Sequence, residues 1–403
     1  MSYVPIPLAL MQVGKPLPVD VLSDTGQLLL RKGQAIVSEQ HRDKLLDFHA
    51  SVQEQDGLAW QHAYERMVHA LLLQGLDARD VARAPMPDQI GAADYLADTP
   101  FSGGWLDLQA ALRAVLYQGG LPINPLPRLK AIQDMVLTLV QRDADASLFE
   151  LFQALADNSL GYCATPALLC AVVCELTAAK LGLPGLQRQP LMAAALTMNM
   201  GMAREQDCLA RQSTPINDWQ RTLVQEHPAR SAQLLREWGV RDAQQLDMVR
   251  WHHAPEAAEA SPANQTSRRL LHLADVFVAR TAARRTRPAL SPVTAVKSMV
   301  LGSGGGDLGL GSAMAQAVGF YPPGSYVKLV NGEIAVAVQR GERANTPWVI
   351  SMGGNDATPL ADYQCKSTAE PRLAISAPVG FEKVKVPLRA EKVRRARERI
   401  PRP

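Results

Sequence analysis

The chain lacks the features that would tie it to a membrane, a secretory route or a disulfide scaffold. No apolar run approaches the length needed to span a bilayer, so no transmembrane helix is expected. The N-terminus has no basic segment followed by an apolar core, and no signal peptide is legible there. Cysteine is sparse: Cys163, Cys170, Cys174, Cys208 and Cys365, an odd number with no CxxC pair. That excludes a disulfide framework and predicts reduced thiols in a cytoplasmic protein. Cys170 and Cys174 are four apart on an apolar helical pattern and read as small buried hydrophobes. No fixed-period repeat occurs. The glycine run at Ser303–Gly306 lacks the strand–loop–helix context of a phosphate loop, and no Lys-Ser/Thr pair follows it.

What is present describes an ordinary globular protein. Hydrophobic residues make up 47% of the 403 and charged residues 20%, which excludes a mostly disordered or collagen-like chain. The length suits two to three domains. Net charge is +3, too small for a protein coated in nucleic acid. Its distribution is uneven. Nine basic and two acidic residues between Lys383 and Arg402 give that stretch +7, leaving the rest of the chain at −4. Nucleic acid or anionic lipid is therefore expected to engage the basic tail if it engages anything; a solvated tail is the other reading.

Periodicity divides the chain further. Residues 1–50 read as a small β unit with one helix. Lys15–Leu22 and Gln27–Leu30 flank a turn in which Gly26 supplies a positive φ, and Ser38 caps a helix through Leu45 and His49. Residues 51–145 read as a connecting region: a helix over Leu58–Leu76, irregular linkage with short helices from Ala84 to Pro127, and a helix over Leu129–Gln141. Residues 146–318 are the helical heart. Helices are predicted over Ser147–Ala156, Pro166–Leu181, Pro190–Met200, Asn217–Trp238, Ala243–His252 and Ser267–Arg284, then from Ser291 and up to Val318. The Pro190–Met200 segment is apolar nearly all round, so burial on every side is expected. Residues 319–382 return to strands. Tyr326–Val330 and Glu333–Val338 flank Asn331-Gly332, the strongest short hairpin signal, and strand-like pieces recur at Trp348–Ser351 and Leu373–Ser376. Residues 383–403 form the basic tail.

Five stretches within 162–338, in order, resemble the HD-GYP family, a branch of the HD metal-dependent phosphohydrolases. They are Ala179-Lys-Leu-Gly-Leu183 with Met192-Ala-Ala-Ala-Leu196; Gln225-Glu-His-Pro-Ala229 with Ser231-Ala-Gln-Leu-Leu235; Trp251-His252-His253; Leu273-Ala-Asp275-Val-Phe277; and Tyr321-Pro-Pro-Gly-Ser-Tyr-Val-Lys-Leu-Val-Asn-Gly-Glu333. Residues 13–37 resemble the small β module found ahead of some HD-GYP domains. The resemblance implies a mainly α fold: an HD-type helical bundle with a small N-terminal β unit and a C-terminal β-hairpin extension. It also implies a two- or three-metal centre that hydrolyses cyclic di-GMP, a bacterial second messenger. Such chemistry needs adjacent metals to polarise a phosphate and activate water, a carboxylate bridging them, and a lysine near the signature to meet the phosphate charge.

Here the sequence departs from the family. The signature His-Asp falls on Met198-Asn199. A thioether is a poor ligand for iron, manganese or magnesium, and a neutral Asn cannot bridge two cations. The signature glycine is Gly201, but the lysine becomes Met202. An outer histidine position falls on Pro166, and the acidic ligand a turn before it on Tyr162. Where the family has Gly-Tyr-Pro, the chain reads Ala254-Pro-Glu-Ala-Ala-Glu-Ala-Ser-Pro-Ala263. Met198 and Met202 are expected to meet on one helix face.

What survives is His227, His252, His253 and Asp275. His227 and Asp275 fall on inward helix faces by periodicity alone, and a carboxylate on an apolar face needs a partner. Three imidazoles and a carboxylate suit one divalent metal, iron, manganese or zinc; a polar cluster with no metal is the other reading. Convergence of the four is expected, against an alternative in which Asp275 pairs with Arg284. His272 has no family counterpart and reads as an ordinary core or surface histidine. The basic run Arg280–Arg287 could meet phosphate, but reads as a solvated helix end. The functional expectation is a degenerate HD-GYP-type protein of cyclic di-GMP-linked signalling. It would lack phosphodiesterase activity and act as a regulatory or binding module for cyclic di-GMP or a signalling protein. The alternative is an active phosphohydrolase with a reduced metal site.

Overall fold

The computed structural model describes residues 2–400 apart from 8–9, 85–86, 88, 92–93, 95–102, 120–122, 157–161, 286, 288, 303–307, 353–362, 385–387 and 389. The Ser303–Gly306 loop thus lies outside the described residues. The chain is mainly α, with a small sheet near each end, the class that the sequence predicts. No described helix is long and apolar enough to cross a membrane. All five cysteines are free thiols, and Cys170 and Cys174 are buried as expected. Contacts group the residues into two compact units: Met1–Ile132, Asn199–Leu209 and Ile216–Arg241 in one; Gln133–Met198, Ala210–Pro215 and Asp242–Pro403 in the other.

The first unit opens with a four-stranded antiparallel sheet in the order Tyr3–Pro5, Ser51–Gln53, Val21–Leu22, Leu28–Leu30. Both strands of the predicted hairpin are present, Val21–Leu22 inside the sheet and Leu28–Leu30 at its edge. Its turn glycine, Gly26, has φ +87°, and a Cβ there would strike the Tyr3 ring, so only glycine fits on both counts. Ser38 caps the Glu39–Asp47 helix by accepting from the His41 amide at 3.1 Å. Val4, Met11, Leu17, Val21, Ile36, Val52 and Trp60 form the core beneath the sheet. The expected irregular linkage contains a 13-residue helix, Trp105–Tyr117. Its buried residues Trp105, Leu108, Leu112 and Val115 keep i, i+3, i+7 spacing, which the flanking Pro and Gly residues had masked. The Asp218–Glu237 helix starts in a capping box, with Asn217 accepting from the Gln220 amide and the Gln220 side chain returning the bond. It is tied to the earlier helices of the same unit by Trp238 Nε1, which donates to the Gly119 carbonyl at 2.8 Å.

The second unit is built round the Ala164–Lys180 helix. Leu168, Leu169, Cys170, Val172, Val173 and Cys174 are all wholly buried. Gly185–Thr197 packs along it and begins five residues before the predicted start at Pro190. Proline is tolerated there because the carbonyl it leaves without a donor is that of Leu186, which is exposed to water. Helices Ala144–Ala154, Ala243–Trp251, Gln265–Thr281, Pro292–Gly302 and Leu308–Val318 complete the helical part.

Its five-stranded antiparallel sheet runs Cys365–Ser367, Trp348–Ser351, Ile334–Gln339, Tyr326–Leu329, Ile375–Val379. The predicted hairpin closes at Gly332, φ +90°. The last strand is displaced: Pro371–Leu373 forms a 3₁₀ turn, so the predicted Leu373–Ser376 strand starts at Ile375. Side chains alternate faces with period two. Tyr326, Val336, Val338 and Ile350 pack with Phe149 on one face, while Val327, Leu329, Ala335, Ala337 and Val349 form the other. The first face is closed by an unforeseen element. Ala390–Arg397, within the basic tail, is a helix whose Val393 and Ala396 join that core together with Ile400.

A charge pair fastens this helix. Arg397 donates to Asp143 at 2.8 Å, and Asp143 also caps the Ala144–Ala154 helix by accepting from the Ala146 amide at 2.8 Å. Burial pushes the Asp143 carboxyl up, but the Arg397 guanidinium and the helix amides outweigh it and hold the group below the ordinary carboxylate value. A depressed carboxylate stabilises the fold above its unfolded pKa and loses that contribution as pH falls through the folded pKa. Protection factors of the Ala390–Arg397 amides, with the intrinsic pH dependence of exchange divided out, are therefore expected to fall on acidification below about pH 4. At neutral pH, Asp143→Asn, which keeps a capping side chain, is expected to cost under ~1 kcal/mol. Asp143→Ala is expected to cost roughly 1 kcal/mol more, measured by denaturant unfolding, because the cap goes too.

Candidate functional site

Of the four singled-out residues, His227 belongs to the first unit. It stands mid-helix in Asp218–Glu237, wholly buried, directly before Pro228. Pro228 has no N–H, so the Val224 carbonyl loses its i+4 donor. His227 supplies the replacement: its Nδ1 lies 2.7 Å from that carbonyl oxygen. A carbonyl only accepts, so Nδ1 carries the proton and Nε2 is the ring's basic nitrogen.

Gly201 approaches the same turn of helix. Its amide donates to Ser231 Oγ at 2.9 Å, and a Cβ there would stand 2.9 Å from both the His227 carbonyl oxygen and the Ser231 nitrogen. Glycine at 201 thus lets the Met200–Met202 3₁₀ turn press against the helix at His227.

In the second unit the Ala243–Trp251 helix ends at His252, which takes the C-cap position. The last carbonyls of a helix have no intrahelical amide, and Pro255 bars the helix from continuing. His252 Nδ1 lies 2.8 Å from the Val249 carbonyl, and the Ala254 amide serves Trp251 at 3.0 Å. The His252 carbonyl accepts from His272 Nδ1 at 2.7 Å. His252 and His272 are therefore fixed in the same tautomer as His227, with Nε2 basic. Metal-bound histidines are commonly held by such a bond from the opposite nitrogen.

His253 lies against His252 with the ring planes tilted by 40° and the centroids 4.2 Å apart, and their ligand-capable nitrogens come within 4.8 Å. Its Nδ1 is 4.0 Å from an Asp275 oxygen, an ion-pair separation longer than a hydrogen bond. Its side chain is 44% exposed. Burial lowers the His253 pKa, the Asp275 charge opposes this, and His272 adds to the lowering; the net direction is down, so the ring is neutral near pH 7. Asp275 therefore lies beside His253. The alternative partner, Arg284, instead donates to the Tyr162 hydroxyl at 3.1 Å and stacks over that ring.

The signature positions are filled as follows. Met198 closes the Gly185–Thr197 helix as its C-cap and is 1% exposed. The helix then breaks at Asn199, φ −101°, ψ 6°, and turns into the 3₁₀ segment holding Met202. The continuous helix on which the expected meeting of Met198 and Met202 is premised is therefore not formed. Four-residue neighbours align only along a continuous α-helix, and here the helix has ended. Both remain buried.

The segment standing where Gly-Tyr-Pro is expected is held by a buried ion pair. Arg268 donates to Asp247 at 2.7 Å and to the carbonyls of Pro255 and Ser261 at 2.8 Å each. Asp247 in turn accepts from the Ser261 amide and the Asn264 side chain. Sequence reading missed this staple and the part played by His272. The i, i+3 spacing puts His272 and Asp275 on one helix face, but that alone does not set His272 apart from an ordinary histidine.

No protein-family model matches the chain, and no characterised protein matches it by sequence. Among solved structures it is similar to Bd1817, an HDG"Y"P protein from Bdellovibrio bacteriovorus, at 14% identity and a TM-score of 0.38, over 75% of this chain and 94% of that one.

Gly201→Ala is expected to destabilise by about 1–3 kcal/mol, because the new Cβ meets backbone on both sides. Ser231→Ala, which removes only the bond to the Gly201 amide, should cost roughly 1 kcal/mol. Denaturant midpoints ranking the two in the opposite order would refute the close approach at His227.

Proposed function

We propose that the chain is a degenerate HD-GYP-type protein of cyclic di-GMP-linked signalling. In this reading it has no phosphodiesterase activity and serves as a regulatory or binding module for the nucleotide or a signalling protein. The observation that carries the reading is Met198, a buried thioether closing an apolar helix where the resemblance puts the signature histidine. The neutral Asn199 follows in place of the bridging carboxylate. Met202 takes the lysine position, and Pro166 and Tyr162 take the outer-ligand positions. Without these groups a paired-metal centre loses its bridge and the cation that meets the phosphate.

The chemistry of the surviving donors supports a second, compatible reading. We propose that His227, His252, His253 and Asp275 together hold one divalent ion: iron, manganese or zinc. His227 and His252 have Nδ1 committed to carbonyls, which leaves Nε2 in the form a metal accepts. His253 is neutral at physiological pH, and Asp275 adds one negative charge. This donor set fits a single ion and does not fit a bridged pair. A bound ion would polarise phosphate oxygen or acidify water. The four residues would offer it three imidazoles and one carboxylate, and Met202 takes the position where the resemblance puts the phosphate-binding lysine. An active phosphohydrolase with a reduced site is the rival.

The test is an assay of the purified full chain with cyclic di-GMP and added iron, manganese or magnesium. No linear dinucleotide or GMP should appear, and bound metal should not exceed one equivalent per chain, falling in His252→Ala. Metal-dependent turnover that disappears in His252→Ala would replace the first reading with its rival. The double change Met198→His with Asn199→Asp is expected to lower stability by roughly 1–3 kcal/mol without added metal, since it buries polar groups among apolar ones. An unchanged melting temperature would count against a site closed by packing.

A further inference from the structure

We propose that His272 is a positioning residue for the paired histidines, setting the peptide that joins His252 to His253. The proposal rests on the single-ion reading above for its metal readout only. Its structural readout is independent of any metal.

The argument starts from the end of the Ala243–Trp251 helix. His252 is the C-cap of that helix, so its carbonyl lies past the last helical turn and outside the ladder of helix hydrogen bonds. That carbonyl is the hinge of the site, because its peptide plane carries the His253 nitrogen and fixes the direction in which the second ring leaves the chain. His252 itself is wholly buried. A buried carbonyl lacking a donor is costly, and His272 Nδ1 meets it at 2.7 Å.

His272 and Asp275 lie three residues apart on Gln265–Thr281 and act on the same neighbour. His272 grips the backbone immediately before His253 and stands edge-on to its ring, centroids 6.5 Å apart; Asp275 stands 4.0 Å from that ring's Nδ1. One helix thus controls both the peptide and the imidazole of His253. The Arg268–Asp247 staple bonds the loop that follows the pair to the helices on either side, so the helix bearing His272 is kept in register with the helix bearing His252.

Side-chain geometry gives the proposal a sharp control. Asn places an amide nitrogen where histidine has Nδ1, so His272→Asn keeps a donor to the carbonyl. His272→Leu fills similar volume and offers none. In the full chain with ¹⁵N-labelled histidine and no metal, His272 is expected in the Nδ1–H tautomer. The ring resonances of His252 and His253 should shift in His272→Leu and stay near wild type in His272→Asn. Cobalt binding, followed by its visible absorption, should weaken by about 10–100-fold in His272→Leu and by less than about threefold in His272→Asn. The leucine variant's far-ultraviolet circular dichroism should match wild type.

An Nε2–H tautomer at His272 would overturn the proposal, as would ring resonances and cobalt affinity unmoved by leucine. Equal losses in both variants would overturn it as well, because His272 would then be a ligand and not a positioner. If wild type binds no cobalt, the single-ion reading fails, and the His272 assignment stands or falls on the tautomer and the ring resonances alone.

Discussion

A backbone carbonyl deprived of its amide is the constraint from which the candidate site follows. Proline creates the vacancy twice. Pro228 takes the donor from Val224 within a helix, and Pro255 stops the next helix so that its terminal carbonyls face no following turn. In each place an imidazole fills the gap: His227 for Val224, His252 for Val249 and His272 for His252. Each bond does two things. It satisfies a polar group that would be costly to bury bare, and it decides which ring nitrogen is basic. The electronic character of the site is thus set by secondary-structure defects, before any ligand is considered.

The same view explains how Met198 and Asn199 fit the positions where the resemblance puts the signature. The helix that delivers them ends at Thr197, so Met198 is a cap and not an interior residue. Its side chain is buried at the end of a helix that packs along Ala164–Lys180, and burial there asks for volume before polarity. What the fold does require nearby is Gly201, where backbone meets backbone at a distance no side chain allows. A paired-metal centre would need charge at 198 and 199; the packing needs only shape there and the absence of a Cβ at 201. Chemistry and architecture place different demands on adjacent residues, and this sequence meets the architectural ones.

Much of the architecture was legible because local signals agreed with tertiary need. Asn331-Gly332, the Asn217 capping box, Ser38 and the apolar periodicity of Ala164–Lys180 each specify structure within a few residues. The misreadings have local causes. Pro190 suggested a helix start, yet the carbonyl it orphans faces water and the helix begins earlier. The Trp105–Tyr117 helix was hidden by its Pro- and Gly-rich flanks. The tail helix was hidden by charge: between Ala390 and Arg397, Val393 and Ala396 alone carry it into the core, and the arginines around them dominate any sequence average. At the site, His227 and Asp275 could be found from helical phase. His272 could not be separated from an ordinary histidine, because its partner is a carbonyl twenty residues away whose need for a donor arises from its place at the end of a helix.

This origin changes what a histidine at these positions means. A ring that satisfies a buried carbonyl through Nδ1 has a structural reason to be present whether or not Nε2 meets a metal, so His227 and His252 carry weight for packing first and for ligation second. His253 and Asp275 are different. His253 is partly exposed, makes its charge contact at ion-pair distance and has its pKa lowered despite the neighbouring carboxylate. A neutral, accessible imidazole beside a carboxylate has little to offer the fold and much to offer a cation. Of the proposed ligands, the second histidine of the pair and its acidic neighbour are thus the ones whose presence the backbone does not already account for.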